Sequence, residues 1–476
     1  MTADAAAMAA SFEASSDADA ADKLGLPPPG PGSDGWPAFW TVASLETMSA
    51  GVMLTMITEL AVQYYSGWTD PCANGGQGTE ACNTALDTVA RVGTVFGVIS
   101  STATVFATPM MGMLADLHGR RAMAFVCQVA SVVNKLACCL VGIGHWSIYF
   151  LFVSSELVAL TPITMPMTLW ITDKTAPEER PSVFGRYQSL TALEGIVVPF
   201  VAGVLTIPQT CGFLATCSCV ALAALVFALP ESMHQQGGKA PQQLPHTVAS
   251  DTAGVGGQLL SRLQKLRQLF TQPHYAKVLC VAMLAQTAQA GTGVIMFLYL
   301  KERFGVTLQS VAPLTAVSMA SALVANVVLI GPLQRWLGVR GIMLFSMCAA
   351  ICSSVGIILT PSFTAIYPLA AVYGLITLSI PVVTSVMTNV VEQSGDDLGS
   401  VMGGMQGLCY IGTVVGPLAF RMVFLTQRYF NGGVYMLAIL LQATTLGIIL
   451  SMDPRDMQPM EAASLTAAAR TPHRTQ

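Results

Sequence analysis

Twelve apolar stretches fix what this chain can become. They lie at residues 38–65, 84–113, 122–143, 147–171, 183–206, 211–230, 275–300, 309–334, 341–360, 363–391, 399–424 and 432–452, with short links between most of them. Roughly 20 apolar residues in a helix cross the ~30 Å hydrocarbon core of a bilayer. Inside that core each peptide group must be satisfied within its own element. An all-α, multi-pass membrane protein with twelve transmembrane helices is therefore expected. Composition agrees: 53% of residues are hydrophobic and 10% charged, against about 25% charged in ordinary soluble domains. The net charge of −4 sits mainly in links and tails, and no basic stripe suggests nucleic acid. No nucleophile–base pair, Gly-rich phosphate loop or metal-ligand spacing stands out. Neither an enzyme nor a cofactor or metal site is expected.

The links set the orientation. With the N-terminus inside, sixteen of the 22 Lys and Arg fall on the inner side and five on the outer, leaving Lys135 within a helix. That bias predicts that both termini are cytoplasmic. Residues 1–36 are rich in Ala, Asp, Ser and Pro, and 453–476 are similarly polar, so both read as disordered tails. The segment 231–274 reads as a cytoplasmic linker. It ends in GGQLLSRLQKLRQLF, which puts Leu259, Leu263, Leu266 and Phe270 on one helical face. Such a helix suits the inner leaflet, with a calmodulin-type target as the alternative. Cys72 and Cys82 flank an outer Gly-rich loop; they form a disulfide in an oxidising medium or remain two free thiols.

One short link is unusually charged. GMLADLHGRR, from Gly112 to Arg121, recurs as GPLQRWLGVR from Gly331 to Arg340, keeping Gly112, Leu114, Gly119 and Arg121 at an offset of 219. The same offset carries Pro162 to Pro381, Asp173 to Glu392 and Gly185 to Gly404. Two six-helix halves, 37–230 and 275–452, follow. Parallel repeats are a transporter architecture, with substrate bound near the midplane between them.

GMLADLHGRR and ITDKTAPEERPSVFG (171–185) resemble the loops after helices two and four of the major facilitator superfamily, with Leu117 where that family usually has a basic residue. The resemblance spans about 38–452 and implies the pseudo-symmetric major facilitator fold. SLETMSAG, AGTGVIMFLYL and VMGGMQGLCYIGTVVGP are most similar to the tetracycline-exporter-like branch, especially its hippocampus-abundant-transcript group. The exporter pattern on helix five is degraded to EGIVVP, but Gly412, Gly416 and Pro417 keep it in helix eleven. The resemblance implies that Asp116 accepts hydrogen bonds from the start of helix eleven. It makes Gly112, Asp116, Gly119, Arg120, Arg121, Asp173 and Arg180 a cytoplasmic latch between the halves. On this reading Arg120 and Arg121 anchor to the anionic leaflet or to Glu178 and Glu179. Plain topology signalling is the alternative.

Charges at depth are costly and therefore functional candidates. Glu46, Glu156 and Glu194 are candidate proton-coupling groups, Glu46 first because it matches the family's acidic position in helix one. A structural hydrogen bond is its alternative. Lys135 reads as a snorkelling side chain or as the partner of a buried Glu. The second half offers only Gln286, Gln289, Asn326, Asn389, Gln406 and Tyr410, candidate substrate contacts that helix–helix bonding also explains. The expected function is secondary active transport of a small organic solute, with protons as co-substrate, by a monomer in the bilayer. An uncoupled facilitator and a transporter-like receptor are the rivals. Tags at either terminus or in 231–274 should react only from the cytoplasmic side of intact cells. Labelling of the linker from outside would overturn this topology.

Overall fold

The computed structural model describes residues 35–67, 80–144, 146–232, 273–304, 308–394, 398–426 and 432–452. The first half holds α1 (Trp36–Tyr65), α2 (Glu80–His118), α3 (Arg120–Gly144), α4 (Ile148–Leu160), α5 (Thr164–Lys174), α6 (Arg180–Val204) and α7 (Ile207–Phe227). The second half holds α8 (Pro273–Phe304), α9 (Leu308–Val324), α10 (Ile330–Leu359), α11 (Ile366–Gly374), α12 (Ser379–Ser394), α13 (Leu398–Thr426) and α14 (Gly433–Leu450). Among the described residues there is no strand.

Ten segments among these residues are long and apolar enough to cross a membrane. One of them, Pro313–Leu359, is 47 residues long, about 70 Å of helix. It is long enough for two crossings, divided where Gly338 leaves helical geometry at φ 67°. The α6 helix carries Arg180, Arg186 and Glu194 and is not among the ten. The expected twelve are reached only by dividing the long segment and counting α6.

Both halves break the same helix. The fourth crossing is interrupted between Leu160 and Thr164, where Pro162 sits, and the tenth at a 3₁₀ stretch, Leu375–Leu378, just before Pro381. Proline removes a helical donor and clashes with the preceding turn, so the repeated prolines explain the repeated breaks. The charged loops repeat as well: Gly119 (φ 98°) and Gly338 (φ 67°) both hold a left-handed turn open to glycine and strained for other residues. Arg121 donates to the carbonyls of Leu225 and Val226 in the last turn of α7. Arg340, its counterpart, donates to the Leu450 carbonyl at the end of α14 (2.7 Å). Each arginine thus satisfies carbonyls that a helix end leaves unpaired.

The halves meet through α2, α6, α9, α12 and α13. On one side of α13, Gly399, Gly403 and Gly407 recur every four residues and lie on the α2 backbone. A Cβ on Gly403 would stand 2.7 Å from the Thr108 carbonyl, and one on Gly407 2.8 Å from that of Val105. Gly112 and Gly399 sit so close that a side chain on either would overlap the other's carbonyl. Further along α13, Gly412 and Gly416 meet α8 in the same manner, at the Met283 and Thr287 carbonyls. Small residues permit this approach in a medium without a hydrophobic drive between helices. The largest apolar cluster also joins the halves, with Met111, Met165 and Leu169 against Val278, Ile330, Val386 and Met402.

Candidate functional site

Two adjoining cavities lie inside the helix bundle. The larger, about 560 Å³, is bounded by α1, α2, α4 and α6, with Glu46, Thr47, Ser100, Asn134, Thr191 and Glu194 in its wall. The smaller, about 230 Å³, lies between the halves and is walled by the broken helices α5 and α12 together with Gln286, Gln406 and Thr413. Thr164, Tyr187 and Tyr410 line both. The second-half wall offers hydroxyl, amide and thiol groups and no charge.

Glu46 is the centre of a buried polar cluster. Lys135 on α3 lies 2.7 Å from its Oε2, Gln128 Nε2 donates to the same oxygen at 3.0 Å, and the Ser131 hydroxyl donates to Oε1. Gln128, Ser131 and Lys135 occupy one α3 face at helical spacing. Lys135 is 2% exposed, so neither charge of the pair is left to hydrocarbon. Glu156 is half-buried and accepts from the Ser100 hydroxyl at 2.7 Å. Glu194 packs over Gly51, where a side chain would overlap its carboxylate, and among the described residues no group donates to it.

The arginine-rich end carries a second network. Asp116 accepts from the Gly399 backbone N–H, the first turn of α13, at 3.3 Å, across the two halves. Arg120, at the start of α3, pairs with Asp116 in the last turn of α2 and with Asp173 at the end of α5 (3.2 Å). Ser232 donates to the same Asp173 oxygen at 2.7 Å. Glu231 accepts from the backbone N–H of Arg120 (2.9 Å) and of Arg121 (3.1 Å), capping α3. Two further bonds cross the halves: Arg180 Nη1 to Asn389 Oδ1 at 3.0 Å and Gln334 Nε2 to the Glu178 carbonyl at 2.8 Å.

The profile of the Major Facilitator Superfamily matches residues 35–417. The chain belongs to the major facilitator superfamily. Tetracycline resistance protein, class G, of Vibrio anguillarum is 24% identical over 350 residues, 72% of this chain and 84% of that protein. Multidrug resistance protein 2 of Bacillus subtilis (strain 168) is 23% identical over 326 residues, 67% and 76% of the two chains. These relatives agree with the resemblance to the tetracycline-exporter-like branch. The fold is similar to that of the human organic anion transporter MFSD10 (TETRAN), with TM-score 0.68, 14% identity, and 89% of this chain and all of that one covered. It is also similar to a bacterial homologue of the iron transporter ferroportin in its outward-facing state, with TM-score 0.59, 16% identity, and 86% and 98% covered. The protein is thus a multi-pass membrane transporter of this superfamily.

Within this major facilitator frame several expected placements change. Gln286, Gln406 and Tyr410 line the cavity, while Gln289, Asn326 and Asn389 are absent from both walls. Asn326 is fully buried in a π-helical turn, donating to the Ala322 carbonyl and to Thr377. Asn389 is held by Arg180 at the arginine-rich end. Arg120 and Arg121 do not turn to Glu178 and Glu179, which are exposed; nearer carboxylates and helix-end carbonyls hold them. Lys135 does not snorkel, because Glu46 lies within reach. Glu231 and Ser232, assigned from sequence to the linker, belong to the packed half. Their signal was an acid directly after Pro230, at the same membrane face as the Arg120–Arg121 pair. The Cys72–Cys82 pairing lies outside the described residues.

Lys135→Met leaves the Glu46 charge buried without its cation and should destabilise the purified protein by about 3–5 kcal/mol. Adding Glu46→Gln should recover most of that loss. Thermal unfolding in detergent of both single variants and the double variant measures this coupling, and additive losses would show that the pair carries none.

Proposed function

We propose that this protein is a secondary active transporter of a small organic solute, working by alternating access and coupled to protons. The observation that carries the reading is a cavity reaching between the halves, apolar with a few polar side chains, together with inter-half hydrogen bonds from Asp116, Arg180 and Gln334 at one end of the molecule. Taking that end as cytoplasmic, as the Lys and Arg bias suggests, the conformation is the one closed to the cytoplasm. The relatives named for tetracycline and multidrug resistance support an organic solute.

On this reading the Asp116 network is the latch. Asp116 holds the first turn of α13, Arg120 fixes Asp116 against Asp173, and Gly112 and Gly119 allow the approach. Arg121 holds α7, and Arg180 joins Asn389 across the interface. Opening inward breaks the Asp116–Gly399 and Arg180–Asn389 bonds and leaves the contacts within each half intact. Asp116→Asn keeps the shape and removes a charge worth about 0.3–1 kcal/mol at a helix N-terminus, up to ~2 when partly buried. A change of 1.4 kcal/mol moves such an equilibrium about tenfold. Slower transport with near-normal folding and a bias toward the inward-open state should result. Unchanged flux, with unchanged labelling of cysteine probes at the cytoplasmic side, would reduce Asp116 to a loop residue.

For coupling, Glu46 is the principal candidate, with Glu194 and Glu156 behind it. A proton on Glu46 neutralises the partner of Lys135 and changes what α1 and α3 offer each other. Only such a difference between states lets proton binding shift the conformational equilibrium. The deciding experiment is solute accumulation in vesicles containing the purified protein, with and without a pH gradient. Glu46→Gln should abolish gradient-driven accumulation while solute exchange persists. If that variant still concentrates solute, coupling passes to Glu194 or Glu156, or the protein is an uncoupled facilitator. Ligand binding without any flux in the wild type would identify a receptor instead.

A further inference from the structure

Resting on this transporter reading, we infer that the solute is an organic cation with an apolar body and that Glu194 is its charge partner. The two cavities form one continuous lining around Thr164, Tyr187 and Tyr410, and that lining contains two carboxylates and no Lys, Arg or His. The carboxylates are not equivalent. Glu46 is matched by Lys135 at 2.7 Å and by donors from Gln128 and Ser131, and Lys135 itself is buried behind the wall rather than lining it. The Glu46–Lys135 pair is therefore neutral as seen from the cavity. Glu194 faces the same chamber with no donor among the described residues, and it sits over Gly51, where the missing side chain makes room for it. One carboxyl group without a counter-charge among the described residues remains in the chamber wall. An anion placed there meets repulsion and finds no cation to bind, whereas an ammonium or comparable group supplies the counter-charge that Glu194 lacks.

The rest of the wall sets the other half of the specificity. Val42, Met53, Ile57, Val158 and Met167 give the larger chamber apolar sides, so the charge must be carried on a hydrophobic frame. Tyr187 and Tyr410 line both chambers, and aromatic rings in the wall add attraction for a cation. On the second-half side, Gln286 and Gln406 provide amide donors and acceptors that orient without adding charge.

The test uses two ions of matched shape and opposite charge, tetraphenylphosphonium and tetraphenylborate, with the full-length purified protein in detergent. The cation should bind at least about tenfold more tightly than the borate. Glu194→Gln should weaken the cation on the order of tenfold or more, with an unchanged gel-filtration profile. Glu194→Asp, which keeps the charge, should retain part of the affinity. Equal or tighter binding of the borate, binding of neither ion, or full cation affinity in Glu194→Gln would each overturn the inference. Flux in vesicles is scored separately. Cation binding without flux sinks the transporter reading and keeps this one; flux of a neutral or anionic solute without cation binding does the reverse.

Discussion

The crossing of α2 and α13 holds the two halves of this molecule in register. Three glycines spaced four apart bring the α13 backbone onto that of α2, and Gly112 answers from the other side. At this distance the first-turn N–H of Gly399 comes within reach of Asp116. A helix start buried at an interface needs an acceptor for its unpaired donors, and here the acceptor comes from the opposite half. The close approach and the polar contact depend on each other. A larger residue at Gly112 or Gly399 would separate the helices and strand the carboxylate.

Away from this crossing, several charged groups lie where a helix end or an opposite charge satisfies them. Glu231 caps α3, Arg121 and Arg340 hold the last carbonyls of α7 and α14, and Arg303 holds three carbonyls at the far end of α10. Glu46 and Lys135 satisfy each other at depth. Glu194, in the wall of the larger cavity, has no such partner among the described residues. An unmatched charge at a cavity wall is available to a ligand, while a matched one is available only after its partner is displaced. This difference separates the candidate binding group from the candidate switching group, although both are glutamates of the same half.

The pseudo-symmetry at the charged loops is closer in geometry than in chemistry. Gly119 and Gly338 both take a positive φ, and Arg121 and Arg340 each hold carbonyls at a helix end. Asp116, however, is replaced by Arg335, which is exposed. A cation cannot accept from a helix start, so the second loop reaches across through Gln334 instead, to the Glu178 carbonyl. One anchoring contact carries a full charge and the other is a neutral hydrogen bond, which makes the two locks differ in strength.

The apolar runs, the inward excess of basic residues and the 219-residue offset are local or periodic signals, because bilayer thickness and peptide solvation act on each segment by itself. They determined the helical membrane architecture, the repeat and the charged loops. The repeat of Pro162 as Pro381 was legible too, whereas the helix breaks beside them appeared only in the structure. The tertiary structure alone decided which polar side chains meet. Asn326, Asn389 and Gln289 look as suitable in sequence as Gln286 and Gln406, yet helix rotation turns only the latter pair into the cavity. Sequence could name Lys135 as a partner for some glutamate but not as the partner of Glu46, 89 positions away, nor could it bring Glu231 to the start of α3. Those pairings depend on the azimuth and depth of each helix, and these follow from how glycines, methionines and prolines pack across the whole bundle rather than from any one span.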